Sequence, residues 1–270
     1  MTGVACRLTD ALEAALRRLD LGTARWYLSK DRSLYDWCVP NSAEGLVVSR
    51  AADLAAIVAA EFSNLHVSTH PAVKHKLALL RDADTEPKKF RELVREISWL
   101  IGYEALADAS LAPVTVRTPI EETEGARLAD RIGLIPILRA GLGMVDAMLE
   151  LMPTAQVWHL GLFRDERTLR PVEYYNKLPD QATVDLCLIL DPMLATGGSA
   201  TAAIHVLKEW GARHIKLINL IAAPEGVRAV ASAHPDVEIH TAALDRQLNE
   251  RGYIMPGLGD AGDRQFGTGR

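Results

Sequence analysis

The residues best suited to chemistry form a short turn behind an apolar run at 184–190. Asp191 follows the run, and the turn ends in Thr196-Gly197-Gly198-Ser199, where a helical pattern begins. Glycines let the backbone approach a ligand closely, and the free N–H groups at the positive end of a helix favour a phosphate. A carboxylate repels phosphate, so Asp191 is expected to contact sugar hydroxyls. The turn predicts a sugar-phosphate pocket, with a tight strand-to-helix turn capped by Ser199 as the open alternative.

Two arginines follow other apolar runs. Arg139 comes after the run at 133–138, and its neighbours Gly141 and Gly143 predict close backbone contact with a ligand. Arg164 follows the run at 157–163. A guanidinium can bind two phosphate oxygens at once, so both arginines are candidates for a pyrophosphate site. For Arg164, which lies in a charged stretch, a solvated charge run is the alternative.

A glycine-rich segment at 252–264 is the third candidate. Its glycine density predicts a shaped loop, neither helix nor strand, that offers backbone donors and acceptors to a flat heterocycle. A disordered tail is the alternative, against which the apolar residues Ile254, Met255 and Leu258 argue.

The elements that must position these turns alternate from about residue 130 onward. Apolar runs are separated by helical stretches, and the runs lie at 133–138, 157–163, 184–190, 215–222 and 237–243. Near-continuous apolar strands alternating with helices predict an α/β fold with a mainly parallel sheet covered on both faces. In such sheets ligands bind beyond the carboxyl ends of the strands, so the informative residues are expected to follow the strands directly.

The first 62 residues predict a mostly helical N-terminal extension with a packing or oligomerisation role. Asp10 and Glu13 have the spacing of a capping box, and 53–62 is a second predicted helix. A domain boundary is therefore expected at residue 63, with 63–270 as the main domain. Within that domain Thr85 and Pro87 predict the start of a further helix, with Thr85 as its cap.

Composition excludes several classes of protein. A net charge of −5 and a pI of about 5.9 argue against a general nucleic-acid binder. The cysteines Cys6, Cys38 and Cys187 form no CxxC pair, and this sparse set suits a reducing cytoplasm, with Cys187 as core packing. No apolar run approaches the roughly 20 residues that span a bilayer, and the N-terminus lacks a signal-peptide pattern, so no membrane partner is expected.

Several motifs together resemble one family. The stretch Asp-Pro-Met-Leu-Ala-Thr-Gly-Gly-Ser (191–199) is similar to the phosphoribosyl pyrophosphate (PRPP) motif of type I phosphoribosyltransferases, in the form typical of uracil phosphoribosyltransferases. Residues 70–84, 136–144, 249–250, 252–264 and 266–268 resemble the same family. The resemblance covers 63–270 and leaves the N-terminal extension without a counterpart.

The resemblance implies a type I phosphoribosyltransferase-like fold and the salvage reaction uracil + PRPP → UMP + pyrophosphate. It assigns PRPP binding to two arginines, the whole central turn and one C-terminal acid: Arg139, Arg164, Asp191, Pro192, Met193, Leu194, Ala195, Thr196, Gly197, Gly198, Ser199 and Asp260. It assigns uracil contacts to Ile254, Gly259, Asp260 and Ala261. We expect Asp191 and Arg139 to matter most for catalysis.

The resemblance also implies cofactors and partners. Mg²⁺ is expected to be held mainly through PRPP, with no direct protein ligand, and GTP is a candidate allosteric activator. A homo-oligomer is expected because of the apolar helices in the N-terminal half. Two alternatives stay open: a sensor that binds PRPP or a nucleotide without turnover, and an enzyme for another base such as orotate, a purine or a cytosine analogue.

Overall fold

The computed structural model describes residues 62–164 and 171–268, together with four short strands near the N-terminus. The chain divides into two compact units, Met1–Ser63 and Asn64–Arg270. In the first unit, Ala5–Cys6 (β1) pairs with Trp26–Tyr27 (β2), and Cys38–Asn41 (β3) pairs with Glu44–Val47 (β4), both antiparallel. Apart from Phe62, the two helices predicted there lie outside the described residues.

The second unit contains the elements that position the site. Its strands are Leu65–Val67 (β5), Leu111–Arg117 (β6), Glu122–Leu128 (β7), Ile132–Pro136 (β8), Gln156–Val157 (β9), Leu160–Arg164 (β10), Pro171–Asn176 (β11), Leu186–Leu190 (β12), Met193–Leu194 (β13), His214–Ala222 (β14), Glu238–Leu244 (β15), Gln247–Leu248 (β16) and Ile254–Met255 (β17). Its helices are Pro71–Arg81 (α1), Pro87–Ala105 (α2), Leu142–Leu151 (α3), Gly198–Trp210 (α4), Pro224–Ala233 (α5) and Ala261–Phe266 (α6).

A parallel sheet forms the centre of this unit. Its strand order is β5-β15-β14-β12-β8-β9, and β13 pairs with the end of β14. Every residue of β8 and β12 is buried, as is all of β14 after His214. Helices α1, α2 and α3 share one core cluster with alternate strand residues such as Leu134 and Leu188, while α4 packs against α5 and against β12. Because both faces are covered, the strands are apolar throughout, which confirms the predicted α/β fold.

Three local predictions are wrong. The run at 157–163 is not one strand: Gln156–Val157 joins the sheet, Leu160 still bridges Ile137, and Leu160–Arg164 pairs antiparallel with β11. Thr85 does not cap α2, because the helix begins after Glu86 and the Thr85 hydroxyl donates to the Leu79 carbonyl instead. The segment 252–264 is not purely loop, since it contains β17 and the start of α6, whose first turn Asp260 caps by accepting from the Asp263 N–H.

Two antiparallel ribbons stand apart from the sheet. β6 and β7 pair over seven residues each, and most of their side chains are exposed, including Leu111 and Val116, as is Ile120 in the turn between them. β10 and β11 form the second ribbon. An isolated two-stranded ribbon is only marginally stable in water, so the exposed apolar side chains of the β6–β7 ribbon are available for further contacts. Among the described residues, no helix is both long and apolar enough to cross a membrane.

A buried ion pair fixes the chain where it leaves the last sheet strand. Arg81, at the end of α1, donates to both carboxylate oxygens of Asp245, at 2.8 and 2.5 Å, and also to the Gly257 carbonyl at 2.7 Å. Asp245 in turn accepts from the Gly257 N–H at 3.0 Å. This arrangement ties helix α1, the end of β15 and the glycine-rich segment to one another.

We expect Asp245→Ala to lower the free energy of unfolding by about 3 kcal/mol, because it leaves the Arg81 guanidinium without its bidentate partner in a largely buried place. Urea unfolding measures the effect. Glu92→Ala, which breaks an exposed i,i+3 pair with Lys89, is the matched control and should leave the midpoint nearly unchanged. Equal losses in the two variants would contradict the structural role of Asp245.

Candidate active site

The turn after β12 ends at an uncapped helix N-terminus. Gly197 has φ of 81° and precedes α4, and no side chain caps the first turn of that helix. A Cβ on Gly197 would lie 2.8 Å from the Ala229 Cβ, and one on Gly226 would lie 2.5 Å from the Ala195 carbonyl oxygen. The turn can therefore pack closely against α5 only because Gly197 and Gly226 carry no side chains. Its free N–H groups, with exposed Thr196 beside them, form a site suited to a phosphate.

Asp191 lies at the carboxyl end of β12. Its Oδ1 accepts from the Met193 N–H at 3.3 Å, and its own N–H donates to the Ile218 carbonyl. Burial raises the pKa of Asp191 to about 7, and the Met193 N–H offsets this only in part. A ligand that donates hydrogen bonds to the Asp191 carboxylate, as two sugar hydroxyls would, stabilises its ionised form.

Arg139 lies in the turn after β8, directly beside the end of β12. The Ile137 N–H donates to the Leu190 carbonyl at 3.0 Å, so the Arg139 turn adjoins Asp191. The Arg139 side chain is largely exposed and donates to Asp263 at 3.3 Å, from α6. A cation held this loosely can exchange the carboxylate for a ligand phosphate.

The glycines around Arg139 serve packing, which corrects the expectation that they admit a ligand. A Cβ on Gly141 would lie 2.3 Å from the Leu190 carbonyl oxygen and 2.8 Å from that of Ile137. One on Gly143 would lie 1.7 Å from Oε1 of Gln265, whose amide nitrogen donates to the Ala140 carbonyl. The crowding atoms belong to the protein itself, so these glycines hold the turn against β12 and α6.

The C-terminal segment adjoins both turns. A Cβ on Gly252 would lie 4.0 Å from the Thr196 methyl, and one on Gly262 would lie 3.9 Å from the Arg139 guanidinium and 3.2 Å from Oδ1 of Asp260. The structure thus brings the segment 252–263 beside the turn at 195–199, called the phosphate turn below, on one side and beside Arg139 on the other.

The remaining predicted residues divide by exposure. Ile254 and Ala261 are buried in the core cluster, so only their backbone groups could reach a ligand. Gly259, with φ of 80°, and Asp260 are exposed. Within the central turn, Pro192 and Leu194 are buried while Met193 and Ala195 are partly buried, and Ser199 is partly exposed in the first turn of α4. Arg164 ends β10, and its side chain lies outside the described residues.

Three supporting residues were missed from the sequence. The amide nitrogen of Asn219, buried in the middle of β14, donates to the Asp191 carbonyl at 2.6 Å, and its Oδ1 is buried without a partner among the described atoms. Asp263 pairs with Arg139, and Gln265 holds the Ala140 carbonyl. Only Asn219 could have been identified from the sequence, because a polar side chain within the apolar run at 215–222 is expected to be buried and to need a hydrogen-bond partner.

Comparisons of the sequence and of the fold with known proteins point to one family. A family model described as "Uracil phosphoribosyltransferase" matches residues 67–268. A uracil phosphoribosyltransferase from Roseiflexus castenholzii is 66% identical over 203 residues, which cover 75% of this chain and 98% of the relative. One from Thermoanaerobacter sp. (strain X514) is 56% identical over 208 residues, covering 77% and 99%. The solved structure of the AQ2163 protein from Aquifex aeolicus superposes with a TM-score of 0.71 at 39% identity, covering 75% of this chain and 97% of that one.

We expect Asp191→Asn to unfold at higher urea concentration than the parent, by a clearly larger margin at pH 8 than at pH 5. The folded-state pKa of Asp191, about 7, exceeds the ordinary value near 3.9, so its contribution to stability is fully present below pH 4 and is lost as the pH rises through 7. Asparagine keeps the shape without the charge. The gain at pH 8 should be on the order of 4 kcal/mol, because about three pKa units separate the folded from the ordinary value and each unit is worth about 1.4 kcal/mol.

Urea unfolding of both proteins at the two pH values, in EDTA and without phosphate, measures this difference. An equal pH dependence in parent and variant would show that Asp191 titrates normally.

Proposed function

The chain belongs to the uracil phosphoribosyltransferase family, and we propose which of its residues carry out the reaction. It is an enzyme of pyrimidine salvage that forms UMP and pyrophosphate from uracil and PRPP. The observation that supports the residue assignment is the meeting of three turns at one edge of the sheet. The phosphate turn before α4, the Arg139 turn and the segment 252–263 adjoin one another there.

PRPP has three parts, and each part has a matching group in the protein. The 5-phosphate lies on the N–H groups of the turn at 195–199, where Thr196 and Ser199 add hydroxyl donors. Asp191 accepts hydrogen bonds from the ribose hydroxyls. Arg139, together with Arg164, binds the pyrophosphate. This division explains how an acidic protein binds a polyanion: the cations are concentrated at one place.

The donor set at the end of β12 fits a magnesium ion that arrives with the substrate. Asp191 is followed by Pro192, so the end of β12 offers a single carboxylate, which is assigned to the ribose hydroxyls; Mg²⁺ would therefore be held mainly by oxygens of PRPP and by water. When bound, Mg²⁺ would offset negative charge on the pyrophosphate.

Uracil binds to backbone groups of the C-terminal segment 252–263. Its ring alternates N–H and C=O groups, and peptide groups offer the complementary donors and acceptors. Ile254, Gly259, Asp260 and Ala261 are the proposed contacts. Buried side chains at Ile254 and Ala261 fix the two ends of the segment, while glycine at 259 adopts a left-handed conformation that shapes the exposed part between them.

The protein accelerates the transfer through positioning and preorganised charge. As the bond between the anomeric carbon and pyrophosphate loosens, positive charge develops on the sugar and negative charge on the leaving group. Arg139 lies where it can stabilise the leaving group, and Asp191 where it can hold the ribose. Uracil N1 bonds to the anomeric carbon from the opposite side as the bond to pyrophosphate breaks, and the N1 proton passes to water or to the departing pyrophosphate; the segment 254–261 aligns the ring. The reaction needs no covalent nucleophile.

We expect Asp191→Ala and Arg139→Ala each to lower kcat/KM for PRPP by on the order of 100-fold or more, since each removes a group that acts on the developing charge or on the ribose. Formation of labelled UMP from uracil, PRPP and Mg²⁺ measures this. Arg131→Ala, at the opposite end of β8 and paired with Asp185, is the matched control and should stay within a few-fold of the parent.

Near-parental turnover in both site variants would contradict the assignment. In the same assay, competition by orotate, purines and cytosine analogues tests base selectivity, and PRPP binding without UMP formation would favour a sensor.

We further propose that residues 1–62 are an appendage and that the main domain is a homo-oligomer. The relatives match nearly their whole length within the later part of this chain, which supports the first point. The exposed apolar β6–β7 ribbon supports the second. A cytoplasmic location and activation by GTP stay predictions.

We expect a chain that starts at residue 63 to keep UMP formation within a few-fold and to have the mass of a dimer or larger assembly. Light scattering after size exclusion gives the mass, and the UMP assay gives the activity. A monomeric truncated chain beside an oligomeric full-length chain would instead assign the assembly to the first unit.

A further inference from the structure

A group of potential metal ligands lies on the sheet away from the active site. His66 lies on the edge strand β5 and is the register partner of His240 on β15, while Glu238 is two residues earlier on the same strand. Side chains two apart on a strand share a face, so all three project from the same side of the sheet. They lie near the amino-terminal end of β15, whereas the reaction takes place beyond its carboxyl end.

The three side chains are close enough to share one ion. One ligand atom from each lies within 4.8 Å of the other two. The Nε2 atom of His240 lies 3.1 Å from Oε2 of Glu238, and that of His66 lies 4.0 Å from the same oxygen. Ligands of a tetrahedral zinc ion are about 3.3 Å apart, given bond lengths near 2.0–2.2 Å. Only His66 must move appreciably, and its side chain is half exposed.

We propose that His66, Glu238 and His240 bind a divalent transition-metal ion, with Zn²⁺ as the occupant. Two imidazoles and a carboxylate are a donor set that zinc accepts, whereas Mg²⁺ prefers oxygen ligands alone. Three protein ligands leave a fourth position for water. This site is separate from the magnesium that accompanies PRPP and does not depend on the assignment of the active-site residues.

The arrangement of the two histidines suits this role. Their rings are stacked, with centroids 4.6 Å apart and an interplanar angle of 14°, so both imidazoles lie side by side next to Glu238. His240 is buried and His66 is half exposed, so an ion could reach the cluster from the His66 side.

The nearby charges admit a further cation. Lys216 is buried and contacts Oε2 of Glu238 at 2.9 Å, Oδ1 of Asp108 at 2.5 Å and the Ala105 carbonyl at 3.0 Å. Two carboxylates, those of Glu238 and Asp108, face this one ammonium group. A carboxylate oxygen has two lone-pair sites, so Oε2 of Glu238 can keep Lys216 at one and bind the metal at the other. Lys216 also keeps Asp108 and Ala105.

Metal binding at this place would join the edge strand to the sheet. β5 has three residues, and a bond network from His66 to Glu238 and His240 would cross-link it to β15. An ion that binds the folded chain and not the unfolded one raises stability in proportion to the logarithm of its concentration.

The test uses the full-length chain, stripped with EDTA and then dialysed free of it. Titration with Zn²⁺ by calorimetry, and with Co²⁺ by visible absorption, should show one ion per chain with N/O ligation. His66→Ala and His240→Ala should each weaken binding by at least about 10-fold and abolish the zinc-dependent rise in Tm. His205→Ala is the matched control, since His205 pairs with Glu209 on the surface of α4 and belongs to no group of three potential ligands among the described residues, and it should bind as the parent does.

Three outcomes would overturn the proposal: no binding at 100-fold molar excess of Zn²⁺, unchanged affinity in His66→Ala, or equal binding of Mg²⁺. Binding at the cysteines of the first unit would persist in His66→Ala and is thereby recognised. Because His66 is half exposed, this variant should fold and keep the parent rate of UMP formation, so the result is independent of the proposed active site.

Discussion

The end of β12 and the turn after β8 share one backbone contact on which the site depends. The Leu190 carbonyl accepts from the Ile137 N–H, and the same oxygen leaves no room for a Cβ at Gly141. Asp191 follows Leu190, and Arg139 lies between Ile137 and Gly141, so this contact sets the distance between the proposed ribose-binding acid and the proposed pyrophosphate-binding cation. Gln265 and Asp263 of α6 hold the Arg139 turn from its other side, and Asn219 fixes the backbone of Asp191 from β14.

Burial of Asp191 lowers the stability of the folded protein at neutral pH. Asp191 is positioned by burial, and burial raises its pKa to about 7, so at neutral pH the folded protein keeps a carboxyl in surroundings that favour its neutral form. A substrate with hydroxyl donors relieves that conflict. Hydrogen bonds that Asp191 makes equally to bound PRPP and to the transition state would favour binding, and only those that strengthen in the transition state would raise kcat.

Basic and acidic side chains are concentrated near different edges of the sheet in this acidic chain. At the carboxyl edge of the sheet, Arg139 is exposed and only loosely paired, which suits an anionic ligand. Near the opposite edge, Lys216 is buried among carboxylates, and the excess of acid there suits a cation beside His66 and His240. The parallel sheet separates the two regions, so a metal ion bound at one would not compete for the phosphates at the other.

The sequence by itself determined the α/β class, four of the five sheet runs, the helices that follow them and the turns that carry Arg139 and Asp191. It did so because strands buried on both faces must be apolar, and because glycines, caps and strand ends are local signals. It missed β5 and the β6–β7 ribbon, which are short or exposed and lack an apolar pattern, and it joined Gln156–Val157 to Leu160–Arg164 because a continuous apolar run does not reveal a change of partner. Only the tertiary structure decided that Gly141 and Gly143 pack against the protein, that Asp263 pairs with Arg139, and that His66 stacks on His240. These contacts join residues far apart in the chain, so their partners are set by packing and register, which no local pattern encodes.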